Sequence, residues 1–119
     1  MKSNQDNVIV AKSKTFALRI INLSRFLTDE KREYIISKQI FKSGTSIGAN
    51  VREAIRGQSP PDFYAKMNIA LKEASETEYW LELLCESGII DQRAFESIHA
   101  DCIEIVKILM AITKAQKKN

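Results

Sequence analysis

A chain of 119 residues with 45% apolar and 28% charged side chains has the balance of one globular domain that builds a core without covalent staples, which excludes the disordered class. Only 4 Gly and 2 Pro leave few turns, and no apolar run approaches the roughly 20 residues of a bilayer span. The net charge of +3 hides an asymmetry: residues 1–56 hold 11 Lys or Arg against 5 Asp or Glu, whereas residues 57–119 hold 7 against 10.

A basic first half and an acidic second half suit an anionic partner or a self-association that joins opposite charges, with solvated helix faces as the plain alternative. Met1 to Asn7 are polar with no apolar signal core behind them, so the cytoplasm is the expected compartment and no membrane partner is expected. Residues 1–119 are expected to form one domain with polar tails at about 1–7 and 115–119.

The first helical segment runs from about Val8 to Leu27. Phe16, Ala17, Ile20, Ile21, Leu23 and Leu27 spread over a face wide enough for two contacts. Thr28 and Asp29 offer capping oxygens for a second helix, which Asp29 and Glu30 favour through its dipole. That helix reaches about Arg56 along Ile36, Ile40, Ile47, Val51 and Ala54, with Ser43 in the gap after Ile40, and Gly57 is its stop.

Ser59-Pro60-Pro61-Asp62 then predicts a helix start, with Ser59 as N-cap, Pro60 as first helical residue and Asp62 as reciprocal carboxylate. Phe63, Met67, Ala70, Ala74, Thr77, Leu81 and Leu84 form a heptad seam that ends near Gly88. A fourth helix follows Asp91, its seam Phe95, Ile98, Cys102, Ile105, Leu109 and Ile112 widened by Ile103, Val106 and Met110. Cys85 and Cys102 fall inside these patterns as reduced core residues. No segment alternates with period two, and short connections make neighbours antiparallel, so the expected fold is all-α, an up-down four-helix bundle.

Gly44 and Gly48 interrupt helix two one turn apart. Close packing of a neighbouring backbone is the reading, because the Gly-Lys-Ser/Thr of a phosphate-cradling loop is missing. Ser46, Asn50 and Glu53 lie on nearly one face, and Glu73 and Glu76 with Lys72 face them from helix three, which predicts a structural polar network that sets helix register. A catalytic carboxylate cluster there has no nucleophile, metal-ligand set or cofactor motif beside it. Glu96-Ser97-Ile98-His99 matches the Glu-x-x-His of di-iron bundles, but such sites need two of these motifs, and with one His no metal is expected. No cofactor is implied.

Tyr79, Trp80 and Leu83 are the candidate interface residues, because Trp80 and Leu83 fall off the helix-three seam; core at the seam's edge is the alternative. The nucleic-acid-binding candidates are Lys38, Lys42, Arg52 and Arg56, a ridge along helix two, with Lys31 and Arg32 at its start. No reading-head motif accompanies them, so binding through them is expected to be sequence-tolerant and salt-sensitive.

The segment Ser46-Ile47-Gly48-Ala49-Asn50-Val51-Arg52-Glu53-Ala54, followed by Asp62-Phe63, Ile69-Ala70-Leu71-Lys72-Glu73-Ala74 and Glu76-Thr77-Glu78-Tyr79-Trp80-Leu81, resembles the four-helix bundle proteins of the 23S rRNA-intervening sequence family. The resemblance implies a bacterial four-helix bundle that assembles as a homopentameric ring, without established enzyme activity. It also implies kinship with the accessory variability proteins of diversity-generating retroelements, which bind nucleic acid and a reverse transcriptase. The expected function is a non-enzymatic homo-oligomeric scaffold that binds RNA or DNA non-specifically through basic faces of helices one and two. A protein-interaction or accessory module without nucleic-acid binding is the alternative.

Overall fold

Four helices and no strand occur among the described residues of the computed structural model, which describes residues 4–118: α1 (Asn4–Asp29), α2 (Ile35–Ile55), α3 (Pro60–Glu86) and α4 (Gln92–Lys114), with a 3₁₀ turn at Ala115–Lys118. Residues 1–3 and 119 of the expected polar tails lie outside the described residues. The N-terminal tail is shorter than expected, because α1 starts at Asn4, where Asp6 complements the helix dipole and Ile9 is fully buried a turn later.

Helix ends follow local chemistry. Ser59 Oγ accepts from the Asp62 N–H at 3.3 Å, Pro60 is the first residue of α3, and the Asp91 carboxylate accepts from the Ala94 N–H at 2.7 Å to start α4. Asp62 makes no return bond to Ser59 among the described residues. Gly88 takes φ +80° beyond α3, with its N–H on the Cys85 carbonyl and that of Ile89 on the Leu84 carbonyl, a Schellman stop.

The start of α2 differs from expectation. Asp29 is the last residue of α1, and Thr28 Oγ1 donates back to the Arg25 carbonyl. The Glu33 carboxylate instead accepts from the N–H groups of Ile35, Ile36 and Ser37 at 3.2, 3.1 and 2.8 Å. One anionic group in front of the helix thus satisfies three orphan donors.

Contacts run in opposite senses along neighbouring helices. From α1 to α2, Ser24 meets Ser37, Ile20 meets Gly44 and Ser13 meets Gly48. From α2 to α3, Ser43 meets Thr77 and Glu53 meets Lys66. From α3 to α4, Ala74 meets Cys102 and Glu78 meets His99, and Arg19 of α1 reaches Asp101 of α4 to close the circuit. The result is an antiparallel bundle with extents of 46 × 20 × 19 Å.

The α3 and α4 seams point inward as read, from Met67 to Leu84 and from Ile98 to Ile112, with Phe63 and Phe95 half-buried at their starts. Phe16, Ile20 and Leu27 supply α1, and Ile40, Ile47, Val51 and Ala54 supply α2.

The core admits polar atoms only in bonded pairs. Ser24 Oγ and Ser37 Oγ lie 2.7 Å apart. Thr77 Oγ1 lies 2.8 Å from both Ser43 Oγ and the Glu73 carbonyl oxygen, with Thr77 and Ser43 fully buried. Ser43 Oγ in turn donates to the Ile40 carbonyl at 3.5 Å. Thr77→Val keeps the shape and leaves the Ser43 hydroxyl only its long contact with the Ile40 carbonyl, so it is expected to cost about 1 kcal/mol. Adding Ser43→Ala removes the poorly bonded hydroxyl and recovers most of the loss. Urea midpoints of the wild type and the two variants, at equal protein concentration, measure both effects.

Candidate functional site

An α-helix turns 100° per residue, which places Lys38, Lys42, Arg52 and Arg56 within an arc of about 80° along about 27 Å of α2. All four side chains are exposed, and none forms an ion pair among the described residues. Thr45 and Ala49 lie between the two cationic pairs, while Ile35 at 77% exposure and Phe41 at 45% flank them. At the start of the ridge, Lys31 Nζ sits 5.7 Å from the Phe26 ring centre, and Arg32 takes φ +54° in the turn that precedes α2.

On helix one, Lys14 and Arg25 are exposed and outside the ion pairs among the described residues, whereas Lys12 and Arg19 turn to α4. Lys12 Nζ lies 2.8 Å from Glu104, and Arg19 binds Asp101 at 2.7 Å as well as the Ser97 hydroxyl and carbonyl. The acidic second half therefore neutralises part of the basic first half within one bundle, and α2 keeps four exposed cations along one face outside any ion pair among the described residues. Sequence could not assign this pairing, because it depends on α4 lying beside α1.

The expected polar network does not assemble across α2 and α3. Ser46 Oγ donates to the Lys42 carbonyl at 2.6 Å and Asn50 Nδ2 to the Ser46 carbonyl at 2.9 Å, both within α2. Hydroxyl and amide side chains on a helix reach their own previous turn more cheaply than a neighbouring helix. Glu53 pairs with Lys66 at 3.0 Å on the surface, and Glu76 accepts from Trp80 Nε1 at 3.2 Å. Glu73 is half-buried; burial first, and then the Glu76 carboxylate, hold its carboxyl above the usual value against the pull of Lys42 and Lys72. The register-setting polar contact is the Ser43–Thr77 pair, one turn deeper.

Of the three interface candidates, Tyr79 is 53% exposed, whereas Trp80 and Leu83 are half-buried, Trp80 against the core. Tyr79 and Trp80 rings lie 5.3 Å apart. Ile69, at 40% exposure, shares their outward face of α3. On α4, Glu96 accepts from Gln92 instead of joining His99, whose Nε2 lies 2.9 Å from Glu78 of α3. Glu78, Glu82 and His99 bring their ligand atoms within 4.8 Å of one another. Sequence reading missed this trio by searching along one helix; the signal was Glu78 and Glu82 four apart on the α3 flank that the seams turn toward His99. No helix among the described residues is long and apolar enough to cross a membrane.

A family model described as 23S rRNA-intervening sequence protein matches residues 5–111. The chain is also similar to a crystal structure of a protein of unknown function from the S23 ribosomal protein family of Bacteroides thetaiotaomicron, at 56% identity and a TM-score of 0.91, over 92% of this chain and 98% of that one. No curated protein matches.

Proposed function

Because the chain belongs to the 23S rRNA-intervening sequence protein family, we propose that it is a non-enzymatic, homo-oligomeric scaffold, a ring of five copies, that binds RNA or DNA without sequence preference in the cytoplasm. The observation that carries the reading is the α2 ridge: four exposed cations, none in an ion pair among the described residues, gathered on one face of one helix. Unpaired cations on one face hold phosphates and release counterions on binding. They also make poor contacts with a second copy of themselves, so self-association falls to other faces.

Exposed apolar side chains on α1, α3 and α4 support that assignment, although Ile35 and Phe41 add apolar surface beside the ridge on α2. Ile69 and Tyr79 on α3 with half-buried Trp80 and Leu83, Leu18 at 56% exposure on α1 and Met110 at 55% on α4 leave more apolar surface than a lone bundle requires. Contacts through those helices leave α2 free to carry nucleic acid, and five ridges in one ring multiply weak individual binding.

Light scattering on the purified protein, at low and high salt, with and without a short RNA duplex, tests the reading. The expected result is the mass of a pentamer that rises with RNA at low salt and returns to its starting value at high salt. A monomer overturns the ring. A pentamer indifferent to RNA overturns nucleic-acid binding and leaves the accessory protein-interaction module.

A further inference from the structure

The most unusual electrostatic feature away from the α2 ridge lies between α3 and α4. Glu78 and Glu82 are one helical turn apart on α3, both half-buried, where like charges repel. His99 of α4 faces them with Nε2 at 2.9 Å from Glu78 Oε2, and Glu82 has no ion-pair or hydrogen-bond partner among the described residues. One imidazole therefore stands against two carboxylates. The ring is held in place by Phe95, stacked on it at 4.6 Å between centres and tilted by 22°.

We propose that Glu78, Glu82 and His99 form a zinc site that clamps α3 to α4. Two carboxylate oxygens and one imidazole nitrogen give a three-residue donor set of the kind zinc accepts, with the fourth tetrahedral position left to water on the open side. The ligand atoms already lie within 4.8 Å of one another. Zinc bonds of about 2.0–2.2 Å separate tetrahedral ligands by about 3.4 Å, a contraction within reach of small side-chain torsions. The imidazole argues against magnesium or calcium, which take oxygen ligands.

Cys102, one turn along α4 from His99, is not a fourth ligand. Its thiol donates to the Ala74 carbonyl at 3.4 Å, and burial pushes it up to about 12, with the carboxylates of Glu78 and Asp101 adding to the rise. On metal binding His99 Nε2 gives its lone pair to zinc. The proton it shares with Glu78 passes to Nδ1 of a neutral ring, or to solvent from a charged one, and the divalent ion takes over the compensation of both carboxylates.

Calorimetric titration of the EDTA-stripped full chain with zinc chloride tests the site, alongside cobalt chloride read by its visible absorption. The expected result is one metal per chain, with affinity at least about tenfold weaker in Glu82→Gln and in His99→Asn, and unchanged in Glu96→Gln. Glu82→Gln leaves the His99–Glu78 pair in place, so it separates metal ligation from a merely structural ion pair. Zinc is also expected to raise the thermal midpoint of the wild type and not that of Glu82→Gln. No saturable zinc binding by the wild type, or binding that survives both ligand substitutions, overturns the proposal.

Discussion

Gly44→Val is expected to destabilise the bundle by about 3 kcal/mol, a fall in Tm on the order of 10 °C for a chain of this size. A Cβ at position 44 alone meets Ile20 Cγ1 at 2.7 Å, Cγ2 at 2.8 Å and Cβ at 3.1 Å. Ile20 is fully buried and branched at Cβ, so it has no free rotamer into which to withdraw. The two further methyl groups of valine must push α1 from α2. Gly48→Ala, one turn on, is expected to act in the opposite direction. There the added Cβ meets Ser13 Oγ at 3.4 Å and the Ser13 carbonyl oxygen at 3.5 Å, ordinary contacts. The helix propensity gained, up to about 1 kcal/mol, remains as stabilisation. Thermal unfolding followed by circular dichroism, all three proteins at one concentration, measures the pair; a neutral Gly44→Val would show that α1 and α2 do not approach as closely as these distances require.

The contrast between the glycines also marks where sequence reading stops. Both were legible as packing residues, since nothing else explains two glycines inside a good helix. Only the structure distinguishes the one pressed by a side chain from the one with room to spare. Seams on α3 and α4 were legible because each faces the core with a single unbroken heptad line, and the caps at Ser59 and Asp91 because each uses a short polar side chain within its own turn. The start of α2 was not, because its cap is the carboxylate of Glu33, reaching three N–H groups from ahead of the helix where a short Ser, Thr or Asp was expected. Candidate site residues divide in the same way. The α2 ridge follows from helical spacing alone. The pairing of Lys12 and Arg19 with α4 and the meeting of His99 with Glu78 depend on which helices are neighbours.

Reversing Lys38, Lys42, Arg52 and Arg56 to glutamate is expected to abolish nucleic-acid binding while leaving the bundle folded. Four cations on phosphates give a slope of log affinity against log salt of about −3.6 for each protomer engaged, or about a hundredfold loss between 50 and 200 mM salt. The reversed protein should show affinity lower by at least about 10³-fold at 50 mM and little salt dependence, because its ridge now repels the phosphates. Two positions carry a stability effect that must be separated from binding. Lys42 opposes the burial and the Glu76 charge that raise the Glu73 carboxyl, so Lys42→Glu adds a second repulsive neighbour there. Arg52 and Arg56 stand at the C-terminal end of α2, where cations complement the helix dipole by roughly 0.3–1 kcal/mol each and carboxylates oppose it. The matched protein with four glutamines avoids both penalties of added negative charge and still removes every phosphate contact. Fluorescence anisotropy with a labelled RNA duplex, across a salt series, is expected to find both variants unable to bind and the glutamine variant nearly as stable as the wild type. Binding that persists in the glutamine variant at the wild-type salt slope would move the nucleic-acid surface away from α2, and with it the division of labour in which one face carries phosphates and the others carry the ring.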